Sequence, residues 1–198
     1  FGNSKEEDLP RGETSNFKRH LQDVDEAVNS IRKKLPKNKV YMFGHSLGGP
    51  YILWYAANYP NSLDGVIFAA PAIKMRSNII PRKELIKVPF MLLFAPKTIY
   101  DTYKTLTQDA KESEEWRIIF EDPLDTGRYS WRWLWGVKRT LYDKTLQNAA
   151  RIEKPALIIQ GVKDRSCLPD GAKQLYESLA TKDKVLKTFP DADHFFYH

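Results

Sequence analysis

The chain has 198 residues, a net charge of +6 and one cysteine, Cys167. The length fits one globular domain with room for an inserted subdomain, and a lone cysteine excludes an internal disulfide and permits a reducing compartment. No apolar run reaches the ~18 residues of a membrane span; no HxH, HExxH or CxxC spacing offers a metal site; and no aromatic-basic interleaving marks a nucleic-acid surface.

The positive charge is densest at Arg32-Lys33-Lys34, with Lys37 and Lys39 beyond. A solvated helix end before Pro36 accounts for it better than a nucleic-acid patch, and weak attraction to anionic lipid stays open. The chain opens on Phe1-Gly2 rather than Met. It therefore reads as an internal stretch of a longer protein, and the lack of a leader carries no weight.

Residues 1–14 form a polar loop containing Gly and Pro. Phe17, Leu21, Val24, Val28, Ile31 and Leu35 then recur at helical spacing, predicting an amphipathic helix. Ser15 or Asn16 caps its start and Pro36 ends it. A short strand follows over 39–43 and a helix over 47–59, with Gly48 and Gly49 letting that helix approach the strand. Residues 63–70 are a continuous apolar run, as in a strand covered on both faces. From 73 to 151 the pattern changes to charged helical stretches, an apolar patch over 88–95 and the cluster Trp131, Trp133 and Trp135. This reads as an inserted, mostly helical cap. Strands over 156–160 and 185–189, with a helix over 171–179 between them, complete the chain. Strands alternating with helices imply an α/β fold with a parallel sheet and helices on both faces. The expected division is a core in two parts, 1–72 and 152–198, interrupted by the cap at 73–151.

A parallel sheet gathers functional groups at the carboxyl ends of its strands. Ser46, Asp164 and His194 fall there, in the chain order of α/β-hydrolases. Ser46 sits in Gly44-His45-Ser46-Leu47-Gly48-Gly49 between a strand and a helix, a turn that exposes a serine oxygen. His194 would take its proton and later return it to the leaving group, Asp164 would orient the imidazole, and the N–H of Leu47 would hold the oxyanion. Each has a plainer reading. Gly-rich turns often contain serine. Asp164 could make an Asx-turn or pair with Arg165, and Asp170 is the second choice of acid, since Asp191 and Asp193 lie too near His194 in sequence. Among the other histidines, His20 is expected on the surface, His45 to point away from where a base must stand, and His198 to be frayed. Cys167 could be an alternative nucleophile or redox site, but reads better as a small thiol lining the pocket or loop. Trp131 and Trp135 share a helical face and fit either cap core or an apolar acyl pocket. His45, Cys167, Trp131 and Trp135 are the candidate pocket residues.

Several stretches together resemble the monoacylglycerol lipase and lysophospholipase family of α/β-hydrolases. They are Gly2-Asn3-Ser4 with Pro10-Arg11-Gly12, Phe17 with Asp23-Val24-Asp25, the serine turn, Asp122-Pro123-Leu124, and above all Lys163-Asp164-Arg165-Ser166-Cys167 with Gly171-Ala172, Asp183-Lys184 and Leu186-Lys187. The similarity runs along nearly the whole chain. It implies nucleophile Ser46, acid Asp164, base His194 and an acyl tunnel under the cap. It also implies four sheet strands and a second oxyanion donor, on a His-Gly loop, upstream of Phe1, and a closing helix after the histidine. The expected activity is cofactor-free, metal-free hydrolysis of lipid monoesters through an acyl-enzyme. A carboxylesterase, thioesterase or peptidase of the same fold is the alternative, and a non-catalytic binding protein on this scaffold the alternative from another class. The expected partner is a lipid or small ester, with no nucleic acid and with peripheral membrane contact through the cap left open. The expected location is cytoplasmic or peripheral to a membrane.

Overall fold

The computed structural model describes residues 8–14, 16–76, 82–105, 121–125 and 127–195. Of the sequence expectations, the Gly2-Asn3-Ser4 stretch, the Ser15 cap and His198 lie outside them. The chain forms two compact units: Lys18–Arg76 with Arg139–His198, and Phe1–Phe17 with Ser77–Lys138.

The larger unit is built on a four-stranded parallel sheet. Its strands are β1 (Tyr41–His45), β2 (Gly65–Ala69), β5 (Ala156–Gly161) and β6 (Lys184–Phe189), in the order β1-β2-β5-β6. Register places Gly44, Phe68, Ile158 and Leu186 in one row and Phe43, Ile67, Leu157 and Val185 in the next. Side chains alternate across a sheet, so these rows face opposite ways. The first belongs to the core face. Val66, Phe68, Ala156 and Ile158 pack there with residues of the helices α1 (Arg19–Lys34), α2 (Gly48–Asn58), α6 (Thr145–Ala149) and α7 (Pro169–Ser178). On the other face Tyr41 is 52% exposed, Phe43 59% and Val185 54%.

The helix α1 begins at Arg19, later than the sequence suggests, and Lys18 before it makes no side-chain cap. Phe17 leaves the helix for the smaller unit, where its ring meets Trp133 edge-on at 6.2 Å. Of the expected apolar face, Val28 is buried and Leu21 and Val24 pack against the core, while Ile31 and Leu35 are exposed. The basic helix end is not wholly solvated: Arg32 donates to the Ser62 carbonyl at 2.8 Å and pairs with Asp64 at 2.8 Å. Asp64 also accepts from the Val40 N–H, which together with Arg32 holds its carboxyl below the usual range.

Helix α2 lies close to β1, but not because of Gly48. A Cβ on Gly48 would meet nothing within 4 Å, whereas one on Gly44 would come within 2.7 Å of the Gly48 backbone. The strand glycine makes the close approach possible.

The smaller unit holds the helices α3 (Arg82–Leu85), α4 (Val88–Phe94) and α5 (Trp131–Gly136). It also holds an antiparallel pair, β3 (Ile99–Asp101) with β4 (Arg128–Ser130), strands too short for periodicity to reveal. Ser130 caps α5 by accepting from the Trp133 N–H. Its hydroxyl and Arg132 both donate to the buried Glu13 carboxylate.

Candidate active site

Ser46 follows β1 directly and has φ +53, in the left-handed region that residues with a Cβ seldom occupy. Three backbone bonds hold it there. Its N–H donates to the Ala69 carbonyl at 3.0 Å, and its own carbonyl accepts from Gly49 at 3.0 Å and Ala72 at 2.9 Å. The other described residue with a Cβ and a positive φ is Ala70, at +42, just past the end of the neighbouring strand. Strain of this kind persists only where surrounding bonds over-determine it. Leu47 stands just before α2, so its N–H lies at the electropositive end of an eleven-residue helix.

Asp164 lies in the loop after β5, and both its oxygens are saturated. Oδ1 accepts from the N–H groups of Ser166 and Cys167, each at 2.8 Å. Oδ2 faces Nδ1 of His194 at 2.9 Å and accepts from Nε2 of Gln160 at 3.0 Å. The Asx-turn reading and the orienting-acid geometry therefore coexist in one carboxylate. Burial pushes its pKa up. The hydrogen bond and charge of His194 and the N–H groups of Cys167 and Ser166 outweigh that and hold it below the usual carboxylate range. With Nδ1 turned to the carboxylate, the neutral ring carries its proton there and leaves Nε2 as the acceptor.

His194 is buried, in the loop after β6. Gly161 lets that loop close on β5, since a Cβ there would stand 2.3 Å from the Asp193 carbonyl oxygen and 2.5 Å from that of Ala192. The neighbouring N–H groups seal the approach: Val162 donates to Phe189 at 3.0 Å and Lys163 to Ala192 at 2.9 Å.

His45 does not point away from the base. Its ring lies 4.6 Å from that of His194, and its Nε2 meets the His194 carbonyl at 2.9 Å. A carbonyl only accepts, so this Nε2 carries the proton. As the last residue of β1, His45 ties the serine turn to the base loop. The described partner of the Ser46 hydroxyl is the Cys167 sulfur at 3.8 Å rather than the His194 ring. Cys167 is fully buried, and burial, reinforced by the Asp164 charge, pushes its thiol up to about 12. In this setting it is a neutral packing group, not an activated nucleophile.

The other candidate acids of the larger unit are engaged in contacts of their own. Asp170 pairs with Lys74 at 3.2 Å, and Asp191 with Lys163 at 2.8 Å. Asp193 accepts from the Phe195 N–H at 2.9 Å, and Arg165 is exposed. His20 is half-buried, its ring 6.1 Å from that of Tyr51. In the smaller unit Trp131 is buried 4.9 Å from the Tyr100 ring, and Trp133 stacks on Tyr129 at 4.2 Å. Trp135 is half-buried, with Lys138 6.0 Å over its ring.

Two supports escaped the sequence reading. One is Gln160, a polar residue on the core face of β5, where period-two alternation calls for an apolar one. The other is the segment after β2, which pairs with the acid loop. Met75 bridges Cys167, Leu168 donates to the Lys74 carbonyl at 2.8 Å, and Arg76 donates to Ser166 at 3.0 Å. Nothing in residues 74–76 signals that pairing.

Among the described residues, no group of three or more His, Cys, Asp or Glu could hold a metal ion. Nor is any helix among them long and apolar enough to cross a membrane.

A parallel sheet with serine, aspartate and histidine at the carboxyl ends of its strands, in that chain order, is the arrangement of the α/β-hydrolases. The sequence matches the family described as Serine aminopeptidase, S33, over residues 1–198, and the chain belongs to that family of α/β-hydrolases. Among its relatives is monoglyceride lipase of Rattus norvegicus, 27% identical over 187 residues, which cover 91% of this chain and 59% of the relative. Monoacylglycerol lipase of Mycolicibacterium smegmatis is 26% identical over 186 residues, 88% of this chain and 64% of that one. The crystal structure of Paleococcus ferrophilus monoacylglycerol lipase superposes with a TM-score of 0.77 at 26% identity, covering 95% of this chain and 70% of that chain. This chain thus spans roughly three-fifths of the length of the curated relatives it matches.

Proposed function

We propose that this protein is a serine ester hydrolase that cleaves lipid monoesters through an acyl-enzyme. His194 Nε2 takes the proton of the Ser46 hydroxyl as the oxygen attacks the ester carbonyl. The tetrahedral oxyanion is held by the N–H of Leu47. The imidazolium, stabilised by Asp164, then protonates the departing alcohol. Water repeats the sequence on the acyl-enzyme and releases the fatty acid. The observation that carries this reading is the Asp164–His194 hydrogen bond of 2.9 Å, in loops at the same end of a parallel sheet as the strained Ser46 turn. The names of the relatives support lipid monoesters as the substrate class.

His45 and Cys167 belong to the immediate surroundings of Ser46 in this reading. The protein's cap lies within the inserted stretch 73–151 and includes Trp131 and Trp135. Peripheral membrane contact is the other part of the proposal, and helix α4 supports it. Ile86 is 85% exposed and Leu93 73%, with Phe90 and Phe94 also open and Lys87 and Lys97 exposed beside them. Apolar side chains flanked by lysines suit an anionic lipid surface.

The test is Ser46→Ala in the whole protein, assayed with monoacylglycerol and p-nitrophenyl esters. Turnover should fall by at least about a thousandfold with the melting temperature unchanged, and fluorophosphonate labelling should vanish. Wild-type rates in that variant would overturn the assignment.

A further inference from the structure

Gln160 is fully buried on the core face of β5, in the row of Ala156 and Ile158. A carboxamide there gives up hydration at both its polar atoms. Nε2 recovers its share, its two hydrogens divided among three acceptors: the Gly161 carbonyl at 3.1 Å, Asp164 Oδ2 at 3.0 Å and the Cys167 carbonyl at 3.2 Å. The opposite atom, Oε1, is buried with no partner among the described residues. The orientation of the amide follows from this set. Three acceptors converge on one atom, so that atom is the donor nitrogen. The amide is therefore spent wholly on one loop, at the cost of leaving its own oxygen bare. All three acceptors lie in residues 161–167, the loop that also presents Cys167 to Ser46.

We propose that Gln160 is a positioning residue for the hydrolysis, acting through Asp164: its carboxamide fixes the carboxylate so that Oδ2 meets Nδ1 of His194. This rests on the Ser46–His194–Asp164 reading above. The physical argument has two parts. A carboxylate whose four acceptor directions are all filled by donors from three different segments has a single orientation available. A donor at Oδ2 also disfavours protonation of that oxygen, which keeps Asp164 an acceptor for the imidazole N–H. The titratable groups that meet this cluster are Asp164 and Cys167 on the loop, His194 after β6, His45 at the end of β1, and Tyr142, which donates to Met75 Sδ beside Cys167.

Two variants of the full chain test the role, with Ser46→Ala and the wild type alongside. Gln160→Met keeps the volume and removes the donor. Its kcat should fall by roughly 10- to 100-fold with KM near the wild-type value, and the downfield proton resonance of the His194–Asp164 bond should weaken or shift. Gln160→Glu keeps the shape. While its carboxyl is protonated it still offers one donor to Asp164, so its rate should approach that of the wild type measured at the same, mildly acidic pH. As pH rises a second carboxylate forms beside the first, and the rate should fall along an alkaline limb absent from the wild type. Melting curves at each pH separate this from unfolding. Wild-type kcat and pH profile in a folded Gln160→Met sink the proposal while leaving the catalytic reading intact. Failure of both variants to fold, when Ser46→Ala folds, assigns Gln160 a structural role only and equally overturns it. A wild-type protein that neither turns over esters nor reacts with a fluorophosphonate at Ser46 removes the reading itself, and this proposal with it.

Discussion

Cys167 packs its sulfur 3.8 Å from the Ser46 hydroxyl and has no exposed surface. At a pKa of about 12, roughly one molecule in ten thousand carries a thiolate near pH 8, against about a quarter for a free cysteine. Native protein should therefore react with iodoacetamide at least about a hundredfold more slowly than free cysteine, and should gain one label per chain once denatured. Mass spectrometry after timed quenching reads both. Rapid labelling of the native state would mean that this thiol is neither buried nor neutral. The sequence could not settle the point, because the spacing of Cys167 from Ser46, 121 positions, says nothing of contact. That Ser46, Asp164 and His194 each stand just beyond a strand of one parallel sheet was legible, because each follows a short apolar run in the sequence. The His45 contact with His194 was not, since the direction of a side chain at a strand end depends on what the next loop brings to it.

At the scale of elements, the strands of the parallel sheet announced themselves as short apolar runs and α1 through its periodicity, while β3 and β4 gave no signal, and the ends shifted by a few residues. Helix α1 starts two residues later than its apolar spacing suggests, and Phe17 meets Trp133 edge-on instead of continuing the helical face. The close approaches were legible only as glycines, not as which glycine matters. Gly48 sits in open space, and Gly161 meets the backbone of 192–193. Their alanine variants should therefore differ in sign. Gly48→Ala lies at the start of α2 and should be neutral or stabilising by up to about 1 kcal/mol. Gly161→Ala drives a methyl into two carbonyl oxygens and should cost about 1–3 kcal/mol. Because the displaced segment leads into His194, activity should drop further than the loss of folded protein explains. Thermal melts and specific activity on the same preparations check both. Equal stability of the two variants would contradict the packing at the β5 end.

For the whole molecule, the parallel sense of the strands followed from alternation with helices, yet the alternation is silent on their order in the sheet and on what lies over its second face. Tyr41, Phe43 and Val185 show one face lightly covered in a chain whose apolar runs look alike on both sides. Global stability against acid is where the site and the fold meet. Asp164 has a folded pKa below its unfolded value, lowered mainly by His194 against the opposing effect of burial. A group shifted down binds fewer protons when folded. Its stabilisation is complete above the unfolded carboxylate value of about 3.9 and drains away as pH falls through the folded one. Asp64, lowered by the Val40 N–H and Arg32, acts in the same direction. Asp164→Asn removes the first contribution and leaves the second. Apart from residue 164 itself, both proteins gain the same positive charge as pH falls, so that repulsion cancels in the comparison. The wild type should melt well above Asp164→Asn at neutral pH, and the two melting curves should converge as pH drops below about 4. A gap that stays constant down to the acid transition would mean that Asp164 stabilises the fold through shape alone and not as an anion.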